Sequence, residues 1–223
     1  MYKNVYSAIT FRIIFQNSYI ITDILYMCII DHDNRLIYIA IPKTGTTSTS
    51  AFLEDIISAN SIVVKSNTAN DIGLCKHSTA KTISSIIENY SDYHSIAVIR
   101  NPYDWYVSWF TYRQRDAAGF SSKNMSFENY LKEEPMDELL SWICDDNGNI
   151  IVDSIIKYED GIEDEMNNVI SKIIKKEKFP KMKRENVSEK RKHFDYKLYY
   201  NDKTKKIVEK LQSETIRKFG YKF

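Results

Sequence analysis

The hydrophobic run over residues 36–41 constrains the fold more than any other feature of this sequence. It reads Leu-Ile-Tyr-Ile-Ala-Ile, and Pro42 ends it. A short continuous run of this kind is typical of a parallel strand that is covered on both faces. Residues 46–59 then carry apolar side chains at helical spacing, namely Ala51, Phe52, Ile56 and Ile57. The segment therefore predicts a buried strand, a tight turn and a helix in direct succession.

Strand and helix signals alternate along the rest of the chain. Further strands are predicted over 61–65, 95–99 and 150–158, and helices over 78–90, 126–134, 136–144, 161–176 and 202–219. Ser78 and Asn101 are expected as helix N-caps, with Pro102 as the first helical residue after Asn101. This alternation predicts an α/β fold, a single domain with a central, mainly parallel β-sheet flanked by helices. We place this domain at 31–223, after an N-terminal extension over 1–30.

The composition excludes some classes of partner. The 31 basic and 30 acidic side chains leave a net charge of +1, so we expect no nucleic-acid partner. The three cysteines lack the spacing of a zinc site or a disulfide framework, which favours a reducing compartment. We expect a soluble, cytoplasmic protein without a metal site. The apolar stretch over 19–30 contains Asp23 and is shorter than the ~20 residues that span a bilayer, so no transmembrane segment is expected.

The turn after the first predicted strand has the chemistry of an anion site. Gly45 permits a positive φ, Lys43 supplies a positive charge, and the helix start supplies free N–H groups. Hydroxyl donors follow from Thr44, Thr46, Thr47 and Ser48. The lysine precedes a single glycine, so this turn is not the phosphate loop of common nucleoside-triphosphate hydrolases and kinases. The alternative interpretation is a polar turn with a threonine-rich N-cap.

A second polar cluster follows the strand predicted over 95–99. Arg100 would leave this strand at its carboxyl end, where ligands bind in parallel α/β sheets. Its planar guanidinium suits bidentate phosphate binding, and Ser108, two helical turns further on, could donate to the same group. The alternative is a structural ion pair between Arg100 and Asp104, with Ser108 facing solvent.

The two clusters together resemble the sulfotransferases that use 3′-phosphoadenosine 5′-phosphosulfate (PAPS), in both order and spacing. Pro-Lys-Thr-Gly followed by hydroxyl residues is similar to the carbohydrate branch, of Golgi and bacterial type. Four later segments resemble that branch as well: 157–160, 186–188, 199–202 and 219–221. The resemblance covers about 35–223 and implies a P-loop-like sulfotransferase fold.

The resemblance also implies a role for each residue of the two clusters. The 5′-phosphosulfate would be held by Lys43, Thr44, Gly45, Thr46, Thr47 and Ser48, and the 3′-phosphate by Arg100 and Ser108. Thr46 stands where many members have a second glycine, but its backbone N–H remains available as a donor. Lys43 would also act catalytically, by stabilising the charge left on the 5′-phosphate. PAPS is thus the expected co-substrate, with 3′-phosphoadenosine 5′-phosphate (PAP) as its product.

A histidine between the two clusters is the expected general base. His77 lies in this interval, where the related enzymes often carry such a histidine. His32 and His94 precede predicted strands and are expected at the opposite edge of the sheet. Glu54 is the alternative base, although a surface position suits it better. The basic run over 181–192 either closes over the donor nucleotide, receives an anionic glycan or is a solvated loop.

The expected function is transfer of a sulfuryl group from PAPS to a hydroxyl by in-line attack, with His77 as base. The branch implies a carbohydrate acceptor, bound among the residues of 113–146. Two alternatives stay open. One is a sulfotransferase that acts on protein tyrosine or on a small molecule, and the other is a non-catalytic nucleotide- or glycan-binding module of the same fold.

Overall fold

The computed structural model describes residues 28–115, 124–176, 178–183 and 191–223. Within these ranges the strands are β1 Cys28–Asp31, β2 Leu36–Ile39, β3 Ile62–Val64, β4 His94–Ile99 and β5 Ser154–Lys157. The α-helices are α1 Thr46–Glu54, α2 Ala80–Ile86, α3 Pro102–Arg113, α4 Phe127–Glu133, α5 Ile162–Ile170, α6 Asp202–Leu211 and α7 Ser213–Phe219.

The five described strands form one sheet in the order β3-β1-β2-β4-β5. The pairs β2–β4 and β4–β5 are parallel, whereas β1 is antiparallel to both β2 and β3. Four of these strands therefore run in the same direction, and the predicted α/β class with a mainly parallel sheet is confirmed. The predicted carboxyl-end edge is formed by β2, β4 and β5, whose last residues lie side by side.

Both faces of the sheet are covered, which explains the continuous hydrophobic run. Ile37 and Ile39 pack in a core with residues of α2, α3, α4 and α6, whereas Leu36 and Tyr38 pack with residues of α1 and α5. Successive side chains of a strand point to opposite faces, so a strand between two helical layers needs apolar residues at every position. All four side chains are fully buried.

Strand β1 begins inside the segment that the sequence assigned to the N-terminal extension. Residues 28–30 are fully buried between β2 and β3. Arg35, in the turn that connects β1 to β2, has a φ of 50°, which lets the chain reverse and form an antiparallel hairpin. The sheet therefore includes the end of the apolar stretch over 19–30.

Three local predictions were wrong, and Gln212 accounts for two of them. Residues 202–219 are two helices that meet at this side chain. Gln212 is fully buried, accepts a hydrogen bond from the backbone N–H of Leu139 and donates one to the carbonyl of Asp137. Segment 136–144 is therefore held by side-chain contacts and contains only a 3₁₀ turn, Leu139–Trp142.

The third difference concerns the start of α2. Thr79, rather than Ser78, is the N-cap, because its hydroxyl accepts a hydrogen bond from the N–H of Thr82. The Ser78 hydroxyl instead accepts from the N–H of Cys75 and closes the preceding turn. The predicted caps of α3 are confirmed: Asn101 accepts from the N–H of Tyr103, and Pro102 is the first helical residue.

None of the helices within the described ranges combines the length and the apolar character that crossing a membrane requires.

A buried carboxylate, Asp31, joins the β1–β2 turn to the segment that follows α1. It accepts hydrogen bonds from the backbone and side chain of both Asn34 and Ser58, at 2.6–3.2 Å. Burial raises the pKa of Asp31, but these hydrogen bonds outweigh burial and leave the pKa below its ordinary value. The ionised form therefore stabilises the fold.

We expect Asp31→Ala to lower the free energy of unfolding by about 2–3 kcal/mol at neutral pH, because it leaves buried donors unpaired. The pKa of Asp31 is lower in the folded state than its value of about 3.9 in the unfolded chain. The stabilisation by the ionised carboxylate is therefore complete above about pH 3.9, and it is lost as the pH falls through the folded pKa. Urea unfolding at neutral and acidic pH measures this difference. Asp33→Ala, which removes an exposed carboxylate from the same turn, is the matched control. A difference that does not shrink at acidic pH would contradict the assignment.

Candidate active site

The turn between β2 and α1 is held in an unusual backbone conformation by its neighbours. Lys43 has a φ of 66° and Gly45 a φ of 84°. The Thr44 hydroxyl donates to the carbonyl of Ile41 at 2.8 Å, and the buried indole N–H of Trp105 donates to the carbonyl of Pro42 at 2.7 Å. A positive φ is costly for lysine, so these contacts and the packing around them must maintain the conformation.

The first turn of α1 presents polar groups that the helix itself does not use. Its N-cap residue is Gly45, which has no side chain to cap the helix. The hydroxyl of Thr46 is buried and has no hydrogen-bond partner within the described ranges. Thr47 is also buried, and Ser48 is half-buried. The N–H groups of a helix start and a buried unpaired hydroxyl fit a bound anion, because an anion accepts hydrogen bonds from both.

Gly45 is favoured by its positive φ, and neighbouring side chains leave little room for a Cβ atom. A Cβ atom at this position would lie 2.6 Å from Cδ1 of Ile162 and 3.2 Å from Cε2 of Tyr158. The first contact is shorter than real Cβ atoms show. The end of β5 and the start of α5 therefore close the turn from one side.

Arg100, at the carboxyl end of β4, binds to the turn directly. Its Nη1 donates to the carbonyl of Lys43 at 3.0 Å, and its guanidinium lies 4.3 Å from the ring centroid of Tyr158. Its Nε and Nη2 both donate to Oδ2 of Asp104, at 2.8 and 2.5 Å. The Arg100–Asp104 pair that the sequence offered as an alternative is thus formed. Ser108 is 9% exposed on α3, so it does not face solvent.

Lys43 lies in a cluster of positive charges. Its Nζ is 4.2 Å from the ring centroid of Tyr112, and Arg115 lies over the same ring at 5.3 Å. Burial, then Arg115 and Arg100, lower the pKa of Lys43 to about 7. Three cations in so small a region repel one another, and an anionic ligand would relieve that repulsion.

His77 lies beside this turn, at the end of β2. Its Nδ1 is 2.7 Å from the carbonyl oxygen of Ala40, and its ring is 6.4 Å from that of Trp142. Because a carbonyl only accepts, Nδ1 carries the hydrogen and Nε2 carries the lone pair. Burial chiefly, with the charges of Lys76 and Lys43, lowers the pKa of His77 to about 4, so the ring is neutral at pH 7.

The other candidate acids and bases have different partners. Glu54 forms an ion pair with Lys65 at 2.6 Å, which fits a structural residue. His94, the first residue of β4, contacts the hydroxyl of Ser154 at 2.8 Å. His32 contacts the hydroxyl of Tyr93 at 2.6 Å, in the turn between β1 and β2. Both histidines lie at the edge of the sheet opposite the turn between β2 and α1, as predicted.

Arg191, a member of the basic run, reaches the site. Arg191 donates from Nη2 to Oδ1 of Asp104 at 2.7 Å. Lys181 and Lys183 are exposed. The segment 186–188, which carries part of the family resemblance, and the basic residues Arg184 and Lys190 lie outside the described residues.

Comparison with known families agrees with this geometry. Residues 26–223 match the family described as sulfotransferase family. This chain belongs to the sulfotransferase family. The match includes β1 and extends past the end of α7, so it covers all the strands described above. Comparison with curated proteins and with solved structures gave no match.

The sulfotransferase fold brings together most of the residues that the sequence singled out. Lys43, Gly45, Arg100 and His77 meet at the carboxyl ends of β2 and β4, through the contacts described above. Sequence reasoning missed the roles of Tyr112, Arg115 and Tyr158 around the two cations. Tyr158 lies in the segment 157–160, which stood out only for its family resemblance. Tyr112 and Arg115 gave no signal beyond chemical type, since aromatic and basic residues are common on helix surfaces.

We expect Gly45→Ala to destabilise the protein more than Gly148→Ala does. Both glycines have a positive φ, which costs an alanine about 1–2 kcal/mol, but a Cβ at Gly148 would have no atom within 4 Å. The difference between the two variants in urea unfolding therefore isolates the overlap with Ile162 and Tyr158. Equal losses of unfolding free energy in the two variants would show that Ile162 and Tyr158 move aside at little cost.

Proposed function

We propose that this sulfotransferase transfers a sulfuryl group from PAPS to a carbohydrate hydroxyl, with His77 as general base. Membership of the family already implies a sulfate donor and a hydroxyl acceptor. The observation that carries the proposal is the array of Lys43, the unpaired hydroxyl of Thr46 and Arg100 around the start of α1. This array provides positive charge and hydrogen-bond donors at two neighbouring strand ends. PAPS requires both, because it carries a 3′-phosphate and a 5′-phosphosulfate.

The turn and α1 would hold the 5′-phosphosulfate. The N–H groups of residues 45–48 and the hydroxyls of Thr46, Thr47 and Ser48 would donate to its oxygens, whereas the Thr44 hydroxyl is engaged with Ile41 and leaves only its backbone N–H. Lys43 would carry its full charge once the anion binds, because an adjacent negative charge raises its pKa above about 7. Arg100 and Ser108 would bind the 3′-phosphate.

His77 suits the acceptor step because its ring is neutral and its Nε2 holds a lone pair. The acceptor oxygen would bond to sulfur while the bond from sulfur to the 5′-phosphate oxygen breaks. The acceptor proton would pass to Nε2, and Lys43 would stabilise the charge on the released phosphate. The contact of Nδ1 with Ala40 would keep the ring oriented and share the positive charge of the imidazolium.

A carbohydrate acceptor rests on the resemblance of the turn and of the C-terminal segments to the carbohydrate branch. Trp142, beside His77, is half-buried and offers an apolar ring against which a sugar face packs well.

Thermal unfolding with PAP and with ATP tests the donor. We expect stabilisation by PAP at micromolar concentrations and little effect of ATP, because binding to the folded state alone raises the unfolding temperature. Equal responses to both nucleotides, or none to PAP, would overturn PAPS as donor. Transfer of labelled sulfate from PAPS to a glycan panel, with tyrosine peptides and small phenols alongside, then tests the acceptor class.

We expect His77→Ala to lower turnover by about 100-fold or more, because proton transfer by a positioned base contributes on that order. PAP affinity should change little, since His77 has no assigned contact with the donor phosphates. Steady-state kinetics and titration with PAP measure the two quantities. His94→Ala, at the opposite edge of the sheet, is the control and should keep wild-type turnover. A His77→Ala variant with wild-type turnover would remove His77 from this role.

A further inference from the structure

Two buried side chains from distant parts of the chain hold the backbone of segment 136–140. Tyr106, on α3, accepts from the N–H of Met136 at 3.2 Å and donates to its carbonyl at 3.3 Å. Gln212, between α6 and α7, bonds to the backbone on both sides of Glu138, at 3.0 and 2.9 Å. Both side chains are fully buried. Buried backbone groups need hydrogen-bond partners, and these side chains supply them to the segment.

Thr215, in the first turn of α7, extends the same network. Its hydroxyl accepts from the N–H of Leu140 at 3.0 Å, and its own N–H donates to Oε1 of Glu138 at 2.7 Å. Thr215 is fully buried as well. Glu138 thereby caps the start of α7, while the side chain of the N-cap residue, Gln212, is turned toward the segment. Segment 136–140 and α7 therefore fix each other.

This segment leads directly into the 3₁₀ turn, Leu139–Trp142, that carries Trp142 beside His77. The two rings meet edge to face, with centroids 6.4 Å apart. After the turn the chain folds back on itself, and the N–H of Ile151 donates to the carbonyl of Ile143 at 3.0 Å. Hydrogen bonds therefore fix the backbone both before and after Trp142.

We propose that Gln212 and Thr215 are positioning residues for the acceptor, which act by placing the ring of Trp142 beside the proposed base. This inference rests on the proposed function, in which the acceptor is a sugar that packs against this ring. The position of the ring then sets how far the attacking hydroxyl stands from Nε2 of His77. A displacement of the order of 1 Å at a reacting group can lower a rate about 100-fold, so the placement matters.

The polar character of the network supports a positioning role. A buried hydrogen-bond network specifies one arrangement of the groups that it joins, whereas apolar contacts tolerate small shifts. Functional side chains on loops need such support from a second set of residues to stay in a productive geometry.

The alternative is that Gln212 and Thr215 only fasten α7 to the rest of the domain. The two roles differ in which substrate they affect. Loss of a general fastening weakens the folded state and impairs the donor and acceptor sites together. Loss of a positioning contact impairs the acceptor alone, because the donor phosphates are assigned to the turn after β2 and to Arg100.

The test uses two variants of Thr215 that differ in the hydroxyl. Thr215→Val keeps the shape of the side chain and leaves the N–H of Leu140 unpaired, whereas Thr215→Ser keeps the hydroxyl. Steady-state kinetics use the glycan of the panel that wild type sulfates fastest, and titration measures PAP affinity. We expect Thr215→Val to lower kcat/KM for the glycan at least about tenfold and to change PAP affinity less than about twofold. Thr215→Ser should keep most of the wild-type kcat/KM, and Gln212→Met should behave like Thr215→Val.

A double-mutant cycle with Trp142→Ala shows whether Thr215 acts through the ring. Trp142→Ala alone should lower kcat/KM for the glycan about tenfold or more, because the sugar loses its apolar platform. Adding Thr215→Val to Trp142→Ala should lower kcat/KM less than about twofold further, because no ring remains to be placed.

Thr204→Val is the matched control. It removes an equally buried threonine hydroxyl from α6, where that hydroxyl bonds to Asn201 at the start of the same helix. This variant should keep the wild-type kcat/KM for the glycan. Thermal unfolding without nucleotide identifies any variant that fails to fold. If Thr215→Val is one of them, Trp142→Ala still decides, because Trp142 is only half-buried.

Three results would overturn the inference: wild-type kcat/KM for the glycan in Thr215→Val or Trp142→Ala, equal losses of kcat/KM and of PAP affinity in Thr215→Val, or losses that simply add in the double variant. If wild type binds PAP but sulfates no glycan of the panel, the carbohydrate acceptor of the proposed function fails instead, and the inference fails with it.

Discussion

The guanidinium of Arg100 joins the carboxyl ends of the three parallel strands. It follows β4, donates to the carbonyl of Lys43 after β2, and lies over the ring of Tyr158 after β5. Asp104 compensates its charge from the first turn of α3. A nearly buried arginine is costly unless its charge is paired, so these contacts set the relative positions of the turn, α3 and the end of β5.

The same contacts explain how a lysine keeps a positive φ. The carbonyl of Lys43 is held by Arg100, the carbonyl of Pro42 by Trp105, and the hydroxyl of Thr44 by Ile41. Gly45 follows where a side chain would overlap Ile162. The turn is thus shaped by the surrounding elements rather than by its own preferences, as is common where backbone strain is kept at a functional site.

The electrostatics of the candidate site favour binding of an anion. Burial and two neighbouring arginines lower the pKa of Lys43 to about 7, and burial lowers that of His77 to about 4. Both effects arise because positive charge is concentrated where little water remains. A bound anion would raise both pKa values. Lys43 would then be fully charged and bind the anion more tightly, and His77 would accept a proton more readily.

The hydrophobic pattern and the local capping signals were enough to predict the α/β class, the strand at 36–41, the start of α3 at Asn101 and Pro102, and the two strand ends where the candidate residues lie. These features depend on local chemistry: a strand covered on both faces must be apolar throughout, and a helix start needs a cap. The single helix over 202–219 was not foreseen to break, because the break depends on Gln212 bonding to Leu139 and Asp137, more than 70 residues away.

The sequence by itself determined which residues are candidates for the chemistry: a lysine before a glycine, an arginine after a buried strand, and a histidine between them. Only the tertiary structure decided how they are connected. Arg100 and Asp104 are four residues apart, so their pair could be anticipated, but Arg191 is 87 residues from Asp104. A contact at that separation leaves no trace in local spacing, because packing of the whole chain brings its two partners together.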